Sequence, residues 1–186
     1  MPITPTESTR VIRAPFSEYR LGLHEFREGW RPLLASMAGA GLGLTSIPFY
    51  AHGIFVTPIA EDMGWTRSAV QFAFSFVMLV SLISAPGIGW LLDRLGSRVV
   101  AIPSVLALGT AYASLSFAGD NILSFYALWI IMSVVGAGTL PVTWTRNVCM
   151  WFDHRRGLAL GITMTGTGLA AVIVPPIASW LIETEG

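Results

Sequence analysis

Gly89-Trp90-Leu91-Leu92-Asp93-Arg94-Leu95-Gly96-Ser97-Arg98 is the stretch on which the reading of this chain turns. It places an acid, two arginines and two glycines in a short connection between two long apolar runs, where an ordinary loop has little use for so fixed an arrangement. The pattern suggests a moving part at one face of a membrane.

The residues around it support the membrane setting. The chain of 186 residues is 53% hydrophobic and 12% charged, and its mean hydropathy of +0.64 is too high for a soluble domain. Five apolar runs follow one another, at 32–60, 68–92, 99–119, 121–145 and 157–182. Each is long enough for the roughly 20 residues that a spanning helix needs. The expected fold class is an all-α membrane protein with five transmembrane helices. Residues 1–31 form a cytoplasmic leader in which Phe16, Tyr19, Leu23, Phe26 and Trp30 recur at helical spacing, as in an amphipathic helix lying at the membrane interface. Residues 32–186 form the transmembrane bundle. The pairs Gly39 and Gly43, Ala85 and Gly89, and Gly157 and Gly161 have the spacing that lets helix backbones approach in lipid.

Orientation follows from arginine, because all 11 basic residues are Arg. Arg10, Arg13, Arg20, Arg27 and Arg31 precede the first run, Arg94 and Arg98 follow the second, and Arg146, Arg155 and Arg156 flank the last connection. Only Arg67 falls on the other side, so the positive-inside rule places the N-terminus in the cytoplasm. Cys149 is the only cysteine, and no Cys and His spacing suggests a metal site. There is no nucleophile with a base and no phosphate loop, so neither an enzyme, a cofactor nor a nucleic-acid partner is expected.

Asp93 falls at the C-terminal end of the second span, where the helix dipole disfavours an anion by about 0.3–1 kcal/mol. Arg94, Arg98, Arg146 or the N-terminus of another helix would offset it, and Asp93 is expected to pair with Arg146 at the same face.

This loop resembles the signature of the major facilitator superfamily, Gly-x-x-x-Asp-Arg-x-Gly-Arg followed by a further basic residue. Gly89, Asp93, Arg94, Gly96 and Arg98 match, whereas Ser97 stands where the first residue of a basic pair is usual. The resemblance implies the N-terminal half of a transporter whose halves are built from six spans each, with this loop latching them on the cytoplasmic side. Trp151-Phe152-Asp153-His154-Arg155-Arg156-Gly157-Leu158-Ala159-Leu160-Gly161-Ile162-Thr163-Met164-Thr165-Gly166 is similar to the fifth-helix signature of monocarboxylate porters and their oxalate/formate antiporter-like bacterial relatives. Phe152, Arg155, Arg156, Gly161 and Gly166 carry that likeness; His154, Thr163 and Thr165 depart from it. Glu61 to Arg67 is similar to the first external loop of the same bacterial proteins.

The superfamily resemblance implies that the first and fourth spans line a central cavity. Candidates there are Thr45, Tyr50 and His52 on the first, Thr143, Arg146 and Asn147 on the fourth, and Thr163 and Thr167 on the fifth. His52 is the one ionisable side chain deep in an apolar run, suited either to carrying a coupled proton or to reaching the external vestibule. Arg146 serves as an interfacial anchor or a substrate clamp, and the threonines line the cavity or bond their own carbonyls.

The expected function is therefore the N-terminal part of a secondary active transporter, working by alternating access on a small organic anion, in a bacterial inner membrane. Its expected partners are the solute, a co-transported proton, the lipid bilayer and the C-terminal half of the transporter, which this fragment lacks. Two alternatives stay open. A drug/proton antiporter would carry an arginine where Met132 precedes Gly136-Ala137-Gly138. A complete five-span interaction protein would need no cavity.

Overall fold

In the computed structural model the described residues are 16–117, 119 and 121–185, with the side chains of 16–23, 117 and 185 left aside. The expectations for residues 1–15, and for the side chains of Phe16, Tyr19 and Leu23, lie outside that range. Seven α-helices follow in order: α1 Phe16–Leu42, α2 Ile47–Asp62, α3 Arg67–Leu95, α4 Ser97–Ser114, α5 Ile122–Gly136, α6 Pro141–Cys149 and α7 Arg156–Glu185. Short 3-10 turns occupy Leu115–Phe117 and Ala137–Thr139. The fold is all-α, with no strand among the described residues.

Two of the expected spans are broken in the middle. Between α1 and α2 the chain turns at residues 43–46, and Pro48, which has no N–H to continue the helical ladder, sits in the first turn of α2. Between α5 and α6 the 3-10 turn ends at Leu140, held at ψ 153° ahead of Pro141. A proline disfavours helical geometry at the residue before it, so α6 has to start afresh.

By length and apolarity, four segments among the described residues are able to cross a membrane: His24–Asp62, Arg67–Leu95, Ile122–Cys149 and Arg156–Thr184. That corrects the expected count of five. The segment that drops out is the one expected over 99–119. Its helix α4 has 18 residues, opens on Ser97 and Arg98, and passes into the 3-10 turn at Leu115. At 1.5 Å per residue it measures about 27 Å, just under the roughly 30 Å of a hydrocarbon core. It still runs the length of the bundle, because it starts beside Asp93 while α5 starts beside Trp65 at the opposite end, where the Trp65 and Phe125 rings lie 5.5 Å apart.

Hydrophobic packing is concentrated where α2, α3, α4 and α5 meet. Leu44, Val56, Val70, Ala73, Val77, Leu108, Phe125, Trp129 and Met132 form one buried cluster. The outer faces are also apolar: Leu82 and Ile83 of α3 and Val172 and Ile173 of α7 are exposed. Surfaces of this kind need lipid or further helices around them.

Candidate functional site

Gly96 makes the tight connection of the Gly89–Arg98 loop possible. With φ at 81° it closes α3 through its N–H on the Leu92 carbonyl, 3.0 Å, and α4 starts at the next residue. Positive φ is strained for a residue with a side chain and easy for glycine. The turn presents Asp93 to α6, and Arg146 Nη2 forms an ion pair with Asp93 Oδ1. The acid at the C-terminal end of α3 thus receives its cation from a different helix. Arg94 turns away and lies over the Trp90 ring at 4.2 Å.

Next to that pair, Asn147 joins two more helices. Ser97 Oγ of α4 donates to Asn147 Oδ1 at 2.9 Å, and Asn147 Nδ2 donates to Ser36 Oγ of α1 at 2.8 Å. Arg98 and Arg31 stand at one end of a groove of about 630 Å³ between α1, α4 and α6, walled by Ala101, Val105 and Trp144. Of the cavity candidates only Asn147 lines it.

The start of α7 is built around Phe152, which is fully buried with Leu33, Val148 and Ala159. Its ring lies 4.9 Å from that of Phe26, and a Cβ on Gly29 would come 2.7 Å from its Cζ. Arg156 donates from Nε to the Phe152 carbonyl at 2.8 Å and from Nη2 to Asp153 Oδ1 at 2.6 Å. The backbone N–H of Arg155 donates to Glu25 Oε2 at 3.3 Å. Deeper in, Gly166 sits against the Met37 carbonyl, and a Cβ on Gly41 would lie 2.7 Å from the Gly166 carbonyl oxygen, so α1 and α7 cross with backbones in contact. Gly89, Gly157 and Gly161 face open space instead, and the close approach expected at them is not made among the described residues.

The cavity candidates separate into four groups. Arg146 and Asn147 belong to the polar cluster just described, and Thr143 is buried one turn away with its hydroxyl unpartnered among the described residues. Thr163 and Thr167 bond their own helix, donating to the carbonyls of Ala159 at 2.9 Å and Met164 at 2.7 Å. His52 is placed elsewhere, stacked on Phe74 at 5.2 Å and edge-on to Trp129 at 5.1 Å, within the α2, α3 and α5 packing. Thr45 and Tyr50 are half-buried, and Tyr50 packs against Phe49 at 5.3 Å.

Thr139, which shares the fourth expected span with Thr143 and Arg146, holds the two helix breaks together. Its Oγ1 donates to the Gly136 carbonyl at 2.7 Å and accepts the Leu44 N–H at 2.9 Å. Its carbonyl accepts the Trp144 indole N–H at 2.9 Å. The breaks in the first and fourth expected spans therefore face each other, and the Thr139 hydroxyl of one satisfies the freed Leu44 N–H of the other, as irregular backbone at membrane depth requires. The Gly and Pro interruptions at 41–48 and 136–141 were the available signal. Glu25 and Ser36 gave none, since their partners lie more than a hundred residues away.

Comparison with known proteins agrees with this arrangement. The family model of the Major Facilitator Superfamily matches residues 30–186. An oxalate:formate antiporter of Oxalobacter formigenes is 30% identical over 139 residues, 74% of this chain and 32% of the relative. A D-galactonate transporter of Escherichia coli O6:H1 is 32% identical over 127 residues, 67% of this chain and 29% of the relative. Monocarboxylate transporter 9 of Gallus gallus is 33% identical over 136 residues, 73% of this chain and 27% of the relative. The chain thus spans about a third or less of the length of these relatives. With its apolar helices and this match over most of its length, the chain is an integral membrane protein and belongs to the major facilitator superfamily of transporters.

Proposed function

We propose that this chain is the N-terminal part of a secondary active transporter that moves a small organic anion by alternating access. The observation that carries the reading is the ion pair between Asp93, in the Gly89–Arg98 loop, and Arg146 of α6. Such a contact joins two helices at one end of the bundle, where opening and closing of a path would make and break it. The proposed polarity puts that end in the cytoplasm of a bacterial cell, because the arginines gather there.

The solute class rests on the relatives, whose names specify oxalate and formate, D-galactonate and monocarboxylates. All are carboxylates. The fifth-helix sequence from Phe152 to Gly166 favours the same branch, and Met132 in place of an arginine disfavours a drug/proton antiporter. The facing breaks near Leu44 and Thr139 support a substrate path close by, since discontinuous helices commonly border transporter binding sites. A second half of the transporter supplies the remaining wall. The activity is transport and not catalysis. His52, packed between Phe74 and Trp129, is a poor choice for the coupling residue.

The test is solute uptake by proteoliposomes containing the product of the complete reading frame that includes this sequence. Radiolabelled oxalate, formate and lactate are offered beside a neutral sugar and an organic cation. Uptake confined to carboxylates is expected; uptake of the cation alone would transfer the protein to the drug-antiporter class.

A further inference from the structure

We propose that the stretch of α1 from Glu25 to Leu33 is a strap, latched by Glu25 across the connection between α6 and α7. A helix beginning at Arg156 leaves its leading N–H groups without partners inside the helix. Glu25, from another helix altogether, holds the turn just ahead of them, residues 153–155. Its Oε1 accepts the N–H of Asp153 at 3.2 Å and that of His154 at 3.0 Å, and it lies 3.0 Å from His154 Nδ1. Its Oε2 accepts the N–H of Arg155 at 3.3 Å. A carboxylate suits the place because it only accepts hydrogen bonds, and because a helix N-terminus favours negative charge.

The packing beside Glu25 points the same way. Phe26 meets the Phe152 ring, Gly29 leaves the room that the ring occupies, and Leu33 lies in the same buried cluster. Residues 25, 26, 29 and 33 fall on one helical face, so one side of α1 covers the connection continuously. Through Asn147 with Ser36, and Arg146 with Asp93, the same end of the bundle is tied onward to α6 and α3. Releasing Glu25 therefore frees the start of α7 from a chain of polar contacts that otherwise moves as one.

Amide hydrogen exchange on the membrane-reconstituted protein tests this, comparing wild type with Glu25→Ala and Glu25→Gln. The amides of Asp153, His154 and Arg155 are the reporters. Those of Ser124 and Phe125, which bond Asn121 at the other end of the bundle, are the reference. In Glu25→Ala the reporters are expected to exchange at least about tenfold faster, the loss of charge-assisted hydrogen bonds, while the reference amides stay protected. Unchanged protection of the reporters overturns the strap. If Glu25→Ala loosens both sets, Glu25→Gln decides, since it keeps the shape and loses the charge. A rise confined to residues 153–155 then upholds the strap, and wild-type protection there refutes it.

Discussion

Replacing Thr139 by valine removes one hydroxyl from the junction of the two broken helices and leaves the volume nearly unchanged. Two bonds go with it: the one accepted from the Leu44 N–H at 2.9 Å and the one donated to the Gly136 carbonyl at 2.7 Å. Leu44 is fully buried, and its N–H lies where the helix is interrupted, so neither water nor an intrahelical carbonyl replaces the lost acceptor. A buried donor stripped of its partner costs about 1–3 kcal/mol. Side-chain hydrogen bonds between membrane helices measure lower, about 0.6 kcal/mol on average and about 1.7 at most. The expected loss in Thr139→Val is therefore about 1–2 kcal/mol. Equilibrium unfolding in mixed micelles, titrated with a denaturing detergent, reads it, together with exchange of the Leu44 amide. Thr139→Ser is the control: it keeps both bonds and gives up a methyl group worth about 0.8 kcal/mol. The Leu44 amide should stay protected in the serine variant and exchange about tenfold faster or more in the valine variant. If valine leaves both stability and the Leu44 amide as in wild type, the junction is held by packing alone and the reasoning fails.

Other substitutions separate packing from open space. Gly166→Ala, which drives a methyl against the Met37 carbonyl, should lower the thermal midpoint clearly, whereas Gly161→Ala faces open space and should leave it nearly unchanged. Equal effects from the two would undo the claimed α1 and α7 crossing. Phe152→Ala empties a fully buried site and should cost about 3–5 kcal/mol in the same micelle titration, with a loss under 1 kcal/mol as the contrary result. His52→Phe replaces a ring whose Nε2 is buried without a partner among the described residues, so stability should hold or rise and solute uptake should persist. Uptake that loses its proton dependence in His52→Phe would restore the coupling role that its packing argues against.

The pairing of Asp93 with Arg146 was legible in the sequence because opposite charges fell at the same end of neighbouring spans, and a helix C-terminus makes an acid there conspicuous. Gly96 was legible for the same local reason: its backbone freedom acts within one or two residues. The breaks at Pro48 and Pro141 were not read, although proline limits act as locally: both runs were expected as continuous spans. That Leu44 meets Thr139 depends on the register between α1 and α5, which no local pattern encodes. Glu25 shows the same limit, since in the sequence it is one of several charges on an amphipathic face, and its partners 153–155 lie 128 to 130 residues on. The apolar run at 99–119 overstated its helix, because hydropathy does not register the change to a 3-10 turn at Leu115. His52 was read by its chemistry, but Phe74 and Trp129 decide its surroundings, and they come from two other helices.

The most direct test of the central claim, that the Asp93–Arg146 contact works in a transport cycle, is carboxylate uptake by the full reading-frame product carrying Asp93→Arg, Arg146→Asp or both. Each single change sets like charges against each other and should depress uptake, and the double exchange should recover a substantial part of it. Uptake in the exchanged protein that stays as low as in the weaker single variant would contradict the account.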